Sequence, residues 1–87
     1  MRIPAGGIET FQAYESLVLP LLPQHGATLD RRLRNGDGTV EIHLMTFPST
    51  EALDAYRANP VRLGHMHLLK ESGAVPELLE VGDVTSE

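Results

Sequence analysis

Cysteine and tryptophan are absent from this chain. Without cysteine, neither disulfides nor thiolate zinc sites can brace the fold. Positive charge is scarce: seven Lys/Arg stand against twelve Asp/Glu, a net charge of -5. That balance argues against nucleic acid, which calls for a basic patch, and against an anionic membrane surface. Only Arg31-Arg32-Leu33-Arg34 clusters, and it reads as a strand rather than a basic arm. No apolar run approaches the roughly 20 residues of a membrane span. Met1-Arg2-Ile3-Pro4 has no signal-peptide core. The expectation is a soluble, cytoplasmic protein with no nucleic-acid or membrane partner. Repeats, linkers and low-complexity tracts are missing too. The 87 residues make one domain, 1–87. A domain of this size buries only about 60–65% of its unfolded surface, so its stability is marginal. Pairing with a second copy is the cheapest remaining way to enlarge the core.

What is present sets an order of elements. Ile3 closes a short strand before Pro4-Ala5-Gly6-Gly7. Ile8, Phe11, Tyr14, Leu17, Val18, Leu21 and Leu22 recur at three- and four-residue steps and predict a helix, with Pro20 kinking or shortening its last turn. Gly26 is placed to end it in the left-handed conformation. Ala27 to Arg34 alternates like a strand, Asn35-Gly36-Asp37-Gly38 signals a hairpin, and Thr39 to Phe47 returns. Pro48 stops that strand, and Ser49 or Thr50 caps a second helix with Ala52, Leu53 and Tyr56 buried. Asn59-Pro60 interrupts it, and a helical stretch runs on from Val61 to Ser72, ended by Gly73. Val75 to Val81 reads as a last, edge strand, and 82–87 as a frayed tail. The order is β-α-β-β-α-β, an α+β pattern of the ferredoxin-like type. Its weak element is the first strand. Three residues fall short of the usual five or six, so either the fold tolerates a stub or the chain starts late.

Alternation divides the returning strand. Val40, Ile42 and Leu44 share one face, which is expected to pack on the protein's own helices. Glu41, His43, Met45 and Phe47 share the other, expected to meet a partner sheet, a ligand or water. With Gly36-Asp37 as a two-residue loop, Arg34 opposes Thr39, Arg32 opposes Glu41 and Asp30 opposes His43. Complementary charges directly across a hairpin contribute about 0.2–1 kcal/mol each, which supports that register. Arg31 then falls opposite Ile42 and must reach the rim or be re-aimed by a bulge. Asp30 beside His43 is a general-base arrangement, the carboxylate orienting the ring and raising its proton affinity. The same pair also reads as a polar contact at a dimer interface, since no nucleophile accompanies it. Ser49 and Thr50 are accounted for as caps. His65-Met66-His67 resembles a metal dipeptide, but on a helix residues i and i+2 point apart, so no metal site is assigned. His25 suits a helix C-terminus, where the dipole favours a cation.

Phe11-Gln-Ala-Tyr-Glu15, Leu21-Leu22, His25-Gly26, Glu41-Ile-His-Leu, Phe47-Pro-Ser and Ala55-Tyr56 together resemble small proteins of the dimeric α+β barrel superfamily, over about Ile8 to Val81. Within it the likeness is to NIPSNAP-like and stand-alone branches, and more distantly to antibiotic-biosynthesis-type monooxygenases. The resemblance implies two sheets packed face to face about a two-fold axis, with a pocket between each sheet and its helices or partner. It carries no shared catalytic motif. The clipped first strand and the missing tryptophan depart from the pattern, and the latter weakens cofactor-free oxygenase chemistry. The leading expectation is a homodimer that binds, without a cofactor, a small largely apolar metabolite. Tyr14, His43, Met45 and Phe47 would line the site, with Arg32 and Glu41 beside it. The alternatives are a cofactor-independent monooxygenase or isomerase using His43 as base with Asp30, and a purely structural self-association module.

Overall fold

A computed structural model describes residues 1–81. The frayed tail expected at 82–87 lies outside the described residues. A single 3₁₀ turn, Ala5–Gly7, leads into α1, Ile8–Val18. The α-helix stops two residues short of Pro20, whose missing amide hydrogen cannot enter the ladder. The chain continues as a 3₁₀ segment, Leu19–His25, that also holds Pro23. Gly26 ends it at φ 68°, a conformation glycine adopts without a Cβ clash.

Strands β1, Thr28–Arg34, and β2, Glu41–Thr46, pair antiparallel. Their register departs from expectation. The connection takes the six residues 35–40 rather than a two-residue turn. Side chains stabilise the longer loop: Asn35 Oδ1 accepts from the Val40 amide (3.0 Å), and Asp37 Oδ1 accepts from the Thr39 amide (3.1 Å) and hydroxyl (2.6 Å). Arg34 therefore opposes Glu41 rather than Thr39, and Arg32 opposes His43 rather than Glu41. A slide of two residues keeps every side chain on its expected face. The slide gives His43 to Arg32 and so removes the expected Asp30–His43 pairing, and a bulge between the Leu29–Met45 and Arg31–Leu44 pairs leaves Asp30 without a partner in β2.

Helix α2, Thr50–Arg57, is capped as predicted by Ser49, whose Oγ accepts from the Ala52 amide at 3.1 Å. Asn59 caps the next helix with its Oδ1 on the amides of Val61 (2.9 Å) and Arg62 (3.3 Å), and Pro60 takes the first helical position. The expected single stretch to Ser72 is broken at His65 into α3, Pro60–Gly64, and α4, Met66–Ser72. The outer strands shrink to single bridges. Arg2 pairs antiparallel with both Val40 and Val75. Of the expected strand Val75–Val81, only Val75 makes a bridge; residues 76–81 form no strand. Across the sheet the order is Val75, Arg2, β2, β1. The described residues are thus a mixed α+β arrangement, with helices against a two-stranded antiparallel sheet extended by bridges.

The core lies on one side of that sheet. Ile3, Phe11, Tyr14, Val18 and Leu69 form one cluster, where α1 packs chiefly against α4. Leu21, Leu22, Ala27 and Tyr56 form a second, joined by Leu29, Met45 and Phe47. The faces of β2 are used opposite to expectation. Glu41, His43 and Met45 turn toward the helices, whereas Ile42 and Leu44 are 48% and 43% exposed. Alternation separates the two faces but does not say which is buried. Here a polar face is buried because Arg32 and Arg34 of β1 pair with Glu41 and with Glu15 of the covering helix.

The close approach of α1 and α4 depends on Gly7. A Cβ built there would lie 1.8 Å from the Ser72 carbonyl oxygen, a backbone atom that cannot turn aside. Gly7→Ala is expected to force the two helix ends apart and cost about 1–3 kcal/mol, as overpacking does. Urea unfolding followed by circular dichroism checks this; Gly6→Ala, which meets nothing within 4 Å, is the control that should leave the midpoint nearly unchanged.

Candidate functional site

Five charged or titratable side chains converge between α1 and the hairpin. Arg32 and Arg34 project from β1 and Glu41 and His43 from β2, on the shared inner face. Glu15 comes down from α1, four residues after Phe11 and three before Val18, on the stripe that faces the core. The side chains of Glu15 and Glu41 are 2% and 1% exposed. Buried carboxylates need partners, and the arginines supply them. Arg32 Nη2 donates to Glu15 Oε1 (2.7 Å) and its Nε to Glu41 Oε2 (3.2 Å). Arg34 donates to Glu41 Oε1 from Nε (2.7 Å), with Nη2 at 2.6 Å. His43 Nε2 lies 2.5 Å from Glu41 Oε2 and 2.7 Å from Glu15 Oε2. The ring has one hydrogen at that nitrogen. Its alignment favours Glu41, so Glu15 Oε2 is left without a hydrogen-bond donor among the described residues.

The proton affinities follow. Burial pushes the Glu15 carboxyl up, and its hydrogen bond toward Glu41 adds to this, against the pull of His43 and Arg32. Burial alone would also raise Glu41. The hydrogen bonds of Glu15, His43 and Arg34 and the charge of Arg32 outweigh it and bring Glu41 down to about 2. Burial disfavours a charged His43 ring, but the two glutamates overcome it and raise its pKa above the ordinary value.

Asp30 is elsewhere. It is exposed at the bulge and accepts from the hydroxyls of Thr28 (2.8 Å) and Thr46. Those bonds, Thr46's first, hold its pKa below the ordinary carboxylate value. The acid beside His43 is therefore not Asp30, and the register slide with the bulge is the reason. Tyr14 is buried between α1 and α4, its hydroxyl 3.6 Å from Met66 Sδ, and does not line a groove as expected. Arg32 and Glu41 sit in the ion cluster. Met45 and Phe47 pack on the second core cluster and also border the groove on the opposite side. His65 and His67 do not converge: His65 sits at the α3–α4 junction and His67 Nδ1 lies 3.1 Å from the Gly64 carbonyl. His25 faces Asn59 Nδ2 at 3.0 Å and the edge of Tyr56.

Glu15 and Arg34 were not among the expected site residues. Glu15 was legible in part, because its place in the apolar stripe of α1 is incompatible with a solvated acid. The groove is a second feature. It has a volume of about 750 Å³ and runs over the open sheet face, lined by Val40, Ile42, Leu44, Leu53, Val75 and Leu78 among others. Glu15, Glu41 and His43 also offer three atoms within 4.8 Å of one another, a spacing a metal ion can use. Arg32 and Arg34 already bring two positive charges to those carboxylates, which disfavours a further cation.

No family model, curated protein or solved structure matches this chain. Among the described residues, no helix is long and apolar enough to cross a membrane.

Proposed function

We propose that the chain works as one half of a self-paired α+β domain and holds a small, largely apolar molecule in the groove over its open sheet face. The observation that carries this reading is the exposed aliphatic face itself. Ile42 and Leu44 lie side by side, Leu33 opposes Ile42, and Val75 and Leu78 flank them, all exposed. A contiguous apolar surface rimmed by charge marks an interaction or ligand site. The groove volume falls within the roughly 300–1,000 Å³ typical of small-molecule sites. The sheet order Val75, Arg2, β2, β1, antiparallel throughout, is that of a ferredoxin-like fold with its outer strands reduced to bridges. It supports the dimeric α+β barrel reading, in which a second sheet covers this face.

His43 as a catalytic base has less support. Its Nε2 lies against two carboxylates, and its raised pKa favours the protonated ring where a base must be free.

Sedimentation at micromolar concentration, with and without Leu44→Glu, tests the pairing. The unmodified protein is expected to run as a dimer and Leu44→Glu as a folded monomer, because a carboxylate in that face would be desolvated without a partner. A monomeric unmodified protein would falsify the two-copy reading. Uptake of a neutral apolar dye such as Nile red tests the groove separately. A dimer that takes up no dye removes the ligand and leaves a structural self-association module.

A further inference from the structure

We propose that Glu15, Glu41 and His43 form a proton-operated clamp between α1 and the hairpin, closed in mild acid and released as pH rises. Three atoms converge there: Glu15 Oε2, Glu41 Oε2 and His43 Nε2, all within 4.8 Å of one another. In the fully deprotonated state Arg32 Nε donates to Glu41 Oε2 (3.2 Å), and the triad itself holds a single hydrogen, the one on Nε2. It reaches Glu41, and Glu15 Oε2 remains buried with no donor. A buried acceptor without a donor is costly, and a carboxylate more so. One additional proton relieves it. On Glu15 Oε2 the proton makes a donor toward Glu41; on the imidazole it goes to Nδ1, leaves a single hydrogen on Nε2, and helps Glu15 only through the positive charge of the ring.

The charged groups around the triad come from all three elements packed there: Glu15 from α1, Arg32 and Arg34 from β1, Glu41 and His43 from β2. The guanidinium groups already hold both Oε1 atoms, so they discourage a metal ion at the Oε2 atoms while leaving room for a proton. The cluster is also the polar joint between helix and sheet, and its state bears on how tightly α1 is held.

The direction with pH follows from the two raised groups. Glu15 and His43 bind protons more tightly folded than unfolded. Their contribution is fully present below the unfolded values of about 4.5 and 6.5 respectively, and each is lost as pH climbs through its folded value. Glu41, lowered to about 2, behaves oppositely: its contribution is present above about 4.5 and is lost as pH falls toward about 2. Stability is therefore greatest in mild acid and declines on the alkaline side.

Glu15→Gln separates this clamp from an ordinary ion pair. The amide oxygen can still accept from Arg32, and the amide nitrogen supplies permanently the donor that the proton supplies transiently. Urea midpoints measured from pH 5 to pH 9 are expected to fall in the unmodified protein and to fall less in Glu15→Gln, where only the His43–Glu41 part of the decline remains, so that its midpoint at pH 9 exceeds that of the unmodified protein. A Glu15→Gln protein weakened equally at every pH overturns the proposal, as does an alkaline decline as steep in it as in the unmodified protein. A second measurement needs no variant. The His43 ring, followed by proton NMR in the unmodified protein, should titrate above the ordinary value of about 6.5, together with a glutamate carboxyl that titrates above about 4.5. Ordinary values for both overturn it. So does a melting temperature raised by zinc in the unmodified protein and not in Glu15→Gln, which would make the cluster a metal site instead.

Discussion

Glu41→Ala is expected to lower stability by about 3 kcal/mol at pH 6–7, far more than the exposure of its partners would suggest. The carboxylate of Glu41 is almost fully buried and joins Arg32, Arg34 and His43. Removing one member of a buried charged network typically costs about 3–5 kcal/mol, because it leaves charge without compensation. The lower end applies here: both arginines are about two-fifths exposed and can turn toward water. What cannot turn away is the cavity and the crowding of His43 and Arg32 onto Glu15. Urea unfolding at fixed pH measures the loss. Asp30→Ala is the informative companion. Its carboxylate bonds only threonine hydroxyls at an exposed bulge, so its removal should stay within about 0.5 kcal/mol. Equal losses from the two variants would contradict the geometry. The Glu41 effect also has a pH signature. Because its folded pKa of about 2 lies below the unfolded 4.5, the gap between the two proteins should close as pH drops from about 4.5 toward 2.

The contrast between Asp30 and Glu41 shows what local sequence can and cannot carry. Features set by neighbouring residues were legible: a cap at Ser49 or Thr50, a disturbance of the first helix at Pro20, the left-handed Gly26, and a helix end at Gly73. The hairpin was legible as a hairpin, and its register was not. Asn35 and Asp37 bond the backbone with their own side chains and so stabilise a loop longer than two residues. Turn-forming residues of this kind support several loop lengths, and each length places different residues opposite one another.

The choice of buried face was beyond reach for a different reason. Val40, Ile42 and Leu44 look like the core side by hydropathy, and Glu41 and His43 look like the wet side. The decision is made by Glu15, 26 positions before Glu41 in the chain, and by two arginines on the neighbouring strand. Together they turn an acidic face into a neutralised one that a helix can cover. No window of alternation includes them all. The same event leaves the aliphatic face open, which is why the groove lies on the side of the sheet away from Tyr14. The first and last strands failed on length: with one bridging residue each, Arg2 and Val75 are held by hydrogen bonds to one another, and Ile3 and Met1 by bonds with Thr39 and Glu41, rather than by strand propensity.

Phe11→Ala is expected to have the largest effect of any single truncation. The chain has two phenylalanines and no tryptophan, and Phe11 is 1% exposed at the centre of the cluster with Ile3, Tyr14, Val18 and Leu69. Truncating a buried Phe to Ala costs about 3–5 kcal/mol, the lost transfer free energy plus the cavity left behind. A domain of 87 residues has only about 4–13 kcal/mol in total, at roughly 0.05–0.15 kcal/mol per residue. At the lower end of that range the variant keeps little or nothing in reserve. With each kcal/mol worth about 4–8 °C in a domain of this size, a melting temperature lowered by roughly 15–30 °C is the expected reading. The ring also sits four residues before Glu15 on the same face of α1. Residues four apart on one helix face are neighbours, so the cavity and the ion cluster are expected to be coupled. The losses in Phe11→Ala and Glu41→Ala should then not add in the double variant. Leu79→Ala, an apolar truncation of a residue 71% exposed, should leave the melt of the isolated subunit unmoved. If it lowers the melting temperature only at protein concentrations where the chain is dimeric, the residue is covered by the second copy rather than by its own core.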